Sequence, residues 1–582
     1  MSRAWSSRAV RRTTRRSCWP ISGPTPTDHT SLNRGVFRMD DAPVKPPSGG
    51  GQVTLTRRGL LRGGTLAGLF ALSPSLLAAC GGGGASGSRG NRLVIAIEGD
   101  PRSLNEIIDP GIGIRILTNT QDGLLNRSTD YREIVAGLAD MPERPDDLTY
   151  RFTLREGMTF NTGTAVTADD VVYTFNRLMT DEQASFGALY KNSIASVTAE
   201  NDRTVVIKTK EPYPILMSLL SGNHPKIVEK AVVEQEGYGT TVWSGTGPFE
   251  VTEWVKGDHV TVRKAEKAHS PQGEAQVDEV VFRVIPDVSA RLAALRGGQV
   301  DAVIQPAYKD LQSFKDADGI EIKELEGSDQ TLMVFKTSMP PFDKRDVRKA
   351  ISLGINRKAL VEDFFYGHAT AAGDLFPPWH WAHDPSIDAP YDPDQAKQLL
   401  AKAGFDESRP LKFTAMVLQD QLFLDQATAI QAQLREIGVE MEVKPVEYTT
   451  LSGITTKGPD KWLGPAAMYR ITPIRGTAYE FANYQYAAAG PLNRSDFNKE
   501  GGAQRPDIEK LMVDTAKDSD WGGERDEAVK PRWAEVSRML NDDPPQLLLN
   551  YWNRASLVSD HVEGWSSAVF DLIQLQPMSV RQ

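Results

Sequence analysis

The sequence predicts a mixed α/β protein folded as two lobes, and three observations lead there. The chain is 582 residues long, more than one hydrophobic core usually organises. β-rich runs and amphipathic helical segments alternate through both of its halves. Hydrophobic residues at 40% and charged residues at 24% match a packed globular body rather than a disordered chain.

In chain order, residues 1–38 carry eight arginines, one acid and no apolar periodicity. They read as a mis-assigned start or a disordered basic arm, with Met39 opening a more conventional leader. Residues 39–79 read as an export signal. In it Arg57 and Arg58 precede a short apolar run diluted by Gly59, Gly63, Gly64 and Gly68, the layout of the twin-arginine route. The run closes on Leu77-Ala78-Ala79-Cys80, which resembles a bacterial lipobox, where the leader is cut before the cysteine and the thiol is diacylated. At about 0.8 kcal/mol per buried methylene, two or three acyl chains hold a protein stably at a membrane. Residues 80–91, the acylated cysteine and a Gly-rich stretch, read as a flexible tether.

The body follows. "RLVIAIE" (residues 92–98), "LTYRFTLREG" (148–157) and "RTVVIKTK" (203–210) are β-rich runs bounded by turn or polar residues. "TADDVVYTFNRLM" (167–179) opens on Thr167 as an N-cap with Asp170 three residues on. It sets Val171, Val172, Phe175, Leu178 and Met179 on one helical face. "DPDQAKQLLAKAG" ends at Gly404 and "DQATAIQAQLREIG" at Gly438, where a left-handed glycine closes a helix. The second of these leads into "VEMEVKPV", whose Val439, Met441 and Val443 alternate with polar residues as in a half-buried strand.

Composition and motifs exclude several functions. A net charge of -10 and a pI near 5.5 do not suit a nucleic-acid partner, which needs a basic face. Cys18 and Cys80 are the only cysteines, too few for a disulfide framework or a four-cysteine zinc site. There is no Gly-x-Ser-x-Gly elbow, phosphate loop, zinc helix or dinucleotide fingerprint, so no enzyme and no cofactor is expected. His380 and His383 in "WHWAH" sit between prolines and read as a solvated loop rather than as metal ligands.

Four segments, in order, resemble the family 5 extracellular solute-binding proteins, the dipeptide, oligopeptide and nickel receptors of ABC importers. They are "LTYRFTLREGMTFNTGTAVTADDVVYTFNRLM" (148–179), "GTGPFEVTEWVKGDHVTVRKAE" (245–266), "VDEVVFRVIPDVSARLAALRGGQVDAVI" (277–304) and "VFKTSMPPFDKRDVRKAISLGINRKALVEDFFYGHATAAGDLFPP" (334–378). The carboxyl end, "LLLNYWNRASLVSDHVEGW", fits the returning strand of the first lobe. The resemblance implies a periplasmic-binding-protein type II-like fold with an extra subdomain inserted in the first lobe. The first lobe would comprise residues 92–120, 226–330 and 546–582, the inserted subdomain 121–225 and the second lobe 331–545.

The function it implies is capture of a peptide-like or acidic organic solute between the lobes by a monomeric, lipid-anchored receptor, with delivery to a membrane permease. A transport-independent sensor or chaperone on the same fold, and an exported hydrolase, are the alternatives. By analogy with the family, Gly111 and Ile112, Gln305, Trp379 and Trp381, and Tyr469, Arg470 and Arg475 face the cleft. Peptide-binding relatives carry an aspartate for the ligand's amino terminus in the last of these segments. Residues 470–478 contain no acid and present Arg470 and Arg475 instead. A buried cationic ligand group would lack its counter-charge there, whereas a guanidinium suits a carboxylate or phosphate.

Overall fold

The computed structural model describes residues 90–108, 111–213, 215–473, 476–519, 528–567 and 572–581, all within one compact unit, Ala85–Gln582. The expectations for Arg57, Arg58, Cys80 and Arg475 lie outside the described residues.

Two long strands, Ile320–Phe335 and Gln546–Ser559, pair antiparallel along most of their length. At about 3.3 Å per residue each runs roughly 45–55 Å, enough to pass from one lobe into the other. The ladder runs from Ile320 opposite Ser559 to Glu326 opposite Asn553, breaks, and resumes from Gln330 opposite Tyr551 to Val334 opposite Gln546. The break is a bulge in which Gly327, Ser328 and Asp329 stand against Trp552.

Each half of this ribbon recruits its own strands into one continuous sheet. On one side Gln546–Ser559 pairs with Ala302–Ile304, followed by Arg92–Ile97, Glu279–Val284, His259–Lys264 and Phe249–Val255. On the other side Ile320–Phe335 pairs with Ala466–Ile471, followed by Leu411–Leu418 and Val439–Val446. Ala302–Ile304, Arg92–Ile97 and Glu279–Val284 are mutually parallel, and so are the three strands in the second lobe. The ribbon changes its neighbouring strands on either side of the bulge and Trp552. Gln546 to Tyr551 pair with Gln330 to Val334 and, at Asn550 and Tyr551, with Ala371 and Thr370 of the second lobe. No glycine or proline marks the crossing in Gln546–Ser559, because one unbroken strand serves both lobes.

Inside the first lobe, Glu143–Asp146, Thr149–Thr153, Thr204–Thr209 and Ile194–Asn201 form a separate antiparallel sheet covered by the helix Ala168–Thr180. The Thr167 N–H and hydroxyl donate to the Asp170 carboxylate at 2.9 and 2.7 Å, so the helix starts on its capping box. Val171, Phe175 and Leu178 are buried against Tyr150 and Phe152, while Val172 and Met179 lie half-buried at the edge. The chain enters and leaves this subdomain beside a bridge between Gly123 and Lys226. There the Asp122 carboxylate accepts from Asn126 at 2.8 Å, Thr246 at 3.2 Å, Ser270 at 3.0 Å and Gln272 at 2.7 Å, knotting the insert to its lobe. Burial pushes the nearby Lys226 amine down to about 8, against the pull of Asp122.

In the second lobe Asp392 accepts from the Gln395 N–H at 2.8 Å and Pro393 opens the helix Pro393–Ala403, which closes on Gly404 at φ +92°. Gln421–Glu436 ends before Gly438 at φ +79°, and Val439 and Met441 of the next strand are buried with Val443 half-buried.

The bulge leaves no room for a larger residue. A Cβ on Gly327 would overlap the Trp552 carbonyl oxygen, and the Gly327 carbonyl accepts the Trp379 indole N–H at 3.0 Å. Gly327→Ala therefore has to displace the ribbon backbone and is expected to destabilise the protein by about 1–3 kcal/mol. Urea unfolding read by tryptophan fluorescence measures it, and wild-type stability of the variant would contradict this account of the bulge.

Candidate functional site

Between the lobes, over the ribbon, lies a cavity of about 810 Å³. The first lobe contributes residues 305–309, which follow Ala302–Ile304. The second lobe contributes the segments that follow Leu411–Leu418, Val439–Val446 and Ala466–Ile471. Residues 552–555 of the crossing strand complete the lining. All four of the strand ends that meet the cavity are carboxyl ends, three of them from one parallel set, the position where open α/β sheets leave a ligand crevice.

The first-lobe wall is held by polar contacts. Gln305 takes φ +53°, a left-handed conformation unusual for a side-chain-bearing residue, and its N–H donates to the Ala555 carbonyl at 3.3 Å. Its side-chain carbonyl accepts from Arg115 at 3.4 Å. The same guanidinium holds Glu98, at the end of Arg92–Ile97, with two contacts of 3.0 and 2.8 Å. Burial opposes ionisation of Glu98, but the charge and hydrogen bonds of Arg115 outweigh it and keep the carboxyl below its ordinary range. Tyr308 donates its hydroxyl to the Asn553 carbonyl at 2.7 Å and lies 5.1 Å from the Phe365 ring and 6.1 Å from the Trp552 ring, centre to centre.

Arg470 leaves the end of Ala466–Ile471 with its guanidinium 5.2 Å from the centre of the Trp552 ring and its side chain 40% exposed. The carboxylate that approaches it is Asp329 of the bulge, with Nε 3.8 Å from the nearer oxygen. Asp329 is fully buried and ion-paired to Arg554, and it also accepts from the Thr472 hydroxyl. The counter-charge for this buried aspartate is thus already supplied by Arg554, and the head of Arg470 remains open to the cavity.

Of the residues expected in the cleft, the structure brings Gln305, Tyr469 and Arg470 together in the lining. Gly111, exposed, opens the turn Gly111–Gly113, and Ile112 packs on the first-lobe core; neither lines the cavity. Trp379 stands outside it too, with its indole bonded to the bulge, the Arg132 guanidinium 5.3 Å over its ring, and Tyr131, Leu325 and Leu572 beside it. Trp381 packs in the second-lobe cluster of Phe376, Phe481 and Trp533.

The solvated loop expected around "WHWAH" is instead a packed one. His380 is 3% exposed, stacks on Phe376 at 4.8 Å and accepts from the Ala382 N–H at 3.1 Å. His383 pairs with Asp374 at 3.0 Å, and that hydrogen bond, outweighing burial, raises its pKa. Among the described residues no three His, Cys, Asp or Glu side chains group as a metal site. Residues that sequence reasoning missed are Tyr308, Arg494, Trp552 and Arg554, all in the lining. None sits in a local motif; each reaches the cavity through pairing or loop packing.

The profile of the bacterial extracellular solute-binding proteins, family 5 (middle), matches residues 133–490. The chain belongs to this family. The di/tripeptide-binding protein 1 of Pseudomonas aeruginosa is 26% identical over 462 residues, covering 70% of this chain and 84% of that protein. The oligopeptide-binding protein AppA of Bacillus subtilis is 24% identical over 84% of this chain and 93% of its own length. HbpA2 from Haemophilus parasuis superposes with a TM-score of 0.74 at 21% identity, over 84% of this chain and 100% of that one, and shares the fold. The protein is accordingly a family 5 substrate-binding receptor with the two-lobe type II architecture.

The Glu98–Arg115 pair sets an acid limit for the first-lobe wall. The folded pKa of Glu98 lies below its ordinary value of 4.5, so the pair's stabilisation is complete above that pH and is lost as pH falls through the folded pKa. Glu98→Gln should lower stability at neutral pH and flatten its fall below about pH 4.5. Urea titrations across that window check this, and an unchanged acid slope would contradict it.

Proposed function

We propose that this receptor captures a peptide-like or acidic organic solute through an oxyanion bound at Arg470, and hands it to the permease of an ABC importer. The observation that carries the reading is the open guanidinium of Arg470 in a cavity between lobes, beside a buried aspartate already neutralised by Arg554. A planar guanidinium offers paired donors to a carboxylate or phosphate. The aromatic rings of Phe423, Tyr448 and Trp552 give the rest of such a solute an apolar surface. A volume of about 810 Å³ suits a solute of short-peptide size.

The lobes supply unlike halves of the site, Gln305 and Tyr308 from the first and Arg470 from the second. A solute that touches both favours the closed arrangement by its differential affinity for it, with the bulge at Gly327 as the bend. Export on the twin-arginine signal at Arg57 and Arg58, anchoring through acylated Cys80 and a monomeric body complete the proposal.

Two experiments test it. In a thermal-shift screen of short peptides and organic acids, solutes carrying a free carboxylate or phosphate should raise the melting temperature and their amides should not. Arg470→Gln should weaken the best of them on the order of tenfold to a hundredfold; equal affinity in the variant would refute the role of Arg470. For the anchor, Cys80→Ser should move the protein from the membrane fraction to the soluble fraction in cells, and persistence at the membrane would refute the lipobox.

A further inference from the structure

The second-lobe wall holds another cation, away from Arg470. Arg494 lines the cavity from the loop that follows the helix Ala478–Tyr486. Its neighbours are fixed: Asn493 donates to the carbonyls of Ala487 and Phe497 at 2.9 and 2.8 Å, and the Ser495 carbonyl accepts from the Thr337 N–H and hydroxyl, both at 2.8 Å. The Arg494 carbonyl itself accepts from Lys336 at 3.2 Å. So the backbone is pinned on both sides while the guanidinium has neither a carboxylate nor a hydrogen-bond acceptor among the described residues, and its Nε is buried.

Tyr469 stands in the same state, with a buried hydroxyl that has no hydrogen-bond partner among the described residues. Burial holds that hydroxyl above the ordinary phenol range against the opposing pull of the Arg494 charge, so it remains a proton donor.

Charge around the loop is unbalanced in one direction. Lys336 pairs with Asp496 at 2.7 Å, and Lys499 donates to the Asn493 carbonyl at 2.8 Å. Burial lowers the pKa of both lysines, Asp496 opposes it, and the charge of Arg494 pushes both further down. Three cations thus gather where the one carboxylate that pairs in this group is taken by Lys336, and an anion beside Arg494 would relieve their repulsion.

Arg470 does not serve this position. Tyr469 and Arg470 are successive residues of a strand and leave opposite faces of the sheet. Arg470 goes to Trp552, whereas Tyr469 and Leu492 pack in the cluster of Leu451 and Trp462. We propose that Arg494 and the Tyr469 hydroxyl form a second oxyanion subsite in the second-lobe wall, so that the receptor's solute carries two anionic groups, one at Arg470 and one at Arg494. The assignment of two groups to one solute rests on the receptor reading above; the subsite itself does not.

The test uses the full chain and simple probes, inorganic phosphate and acetate, titrated separately at constant ionic strength and read as a saturable rise in melting temperature. In Arg470→Gln, which removes the first position, one or both anions should still give the rise. Adding Arg494→Gln should weaken it at least about tenfold, and adding Tyr469→Phe instead should weaken it several-fold. Arg494→Lys keeps the charge and should retain part of the rise, which guards against a variant that fails to fold.

Without anion, Arg494→Gln should melt no lower than its parent because it relieves repulsion; a purely structural arginine would lower it. The proposal is overturned if Arg470→Gln alone abolishes the response to both anions, or if Arg494→Gln leaves it unchanged in that background. Failure of the receptor reading would look different: no solute would require Arg470, while phosphate or acetate would still respond to Arg494.

Discussion

The antiparallel ribbon of Ile320–Phe335 and Gln546–Ser559 is the constraint on which everything else in this protein depends. The strands of both lobes join one sheet through it, so the relative placement of the lobes is set by how two strands twist past a three-residue bulge. The bulge is also where a carboxylate is buried. Asp329 without a partner would cost several kcal/mol, and Arg554, from the neighbouring strand, removes most of that cost. The pairing that aligns the strands therefore also neutralises the charge at the bend.

That arrangement explains the chemistry of the cavity. Because two arginines, Arg554 and Arg470, meet the single carboxylate of Asp329, they leave net positive potential in a partly desolvated space. Trp552 supports the guanidinium from below and Tyr308 supports the indole from the first lobe. Part of the first-lobe wall is oriented from behind the cavity, as Gln305 is by Arg115 and Arg115 by Glu98. Pre-orientation of this kind reduces what a solute must spend in ordering side chains when it binds.

Local elements were readable in the residues wherever short-range physics controls them. The capping box at Thr167 and Asp170, the left-handed closure at Gly404 and the alternation from Val439 to Val443 are each decided within one or two turns of chain. The family pattern carried the reading to two α/β lobes and a receptor. Of the cavity lining, the residues named from the sequence are those at a strand end, Gln305 and Tyr469 with Arg470. Trp379 and Trp381 show the limit: aromatic residues in a proline-bounded loop suit a ligand wall and a packed corner equally well, and their neighbours in space place both outside the cavity. His380 and His383 followed the same course, because Phe376 and Asp374 fold over a loop that its prolines alone would leave in water.

The sequence by itself determined the α/β class, the helix ends and the absence of the common catalytic motifs, since periodicity, caps and motif spacing are local properties. Only the tertiary structure decided where the crossing strand exchanges one set of neighbours for another, because a continuous strand carries no mark of the partners it is leaving. It alone decided which cations remain open as well. Whether an arginine is neutralised depends on a carboxylate that may stand anywhere in the chain, and here Asp329 reaches Arg554 across the ribbon while none among the described residues reaches Arg494.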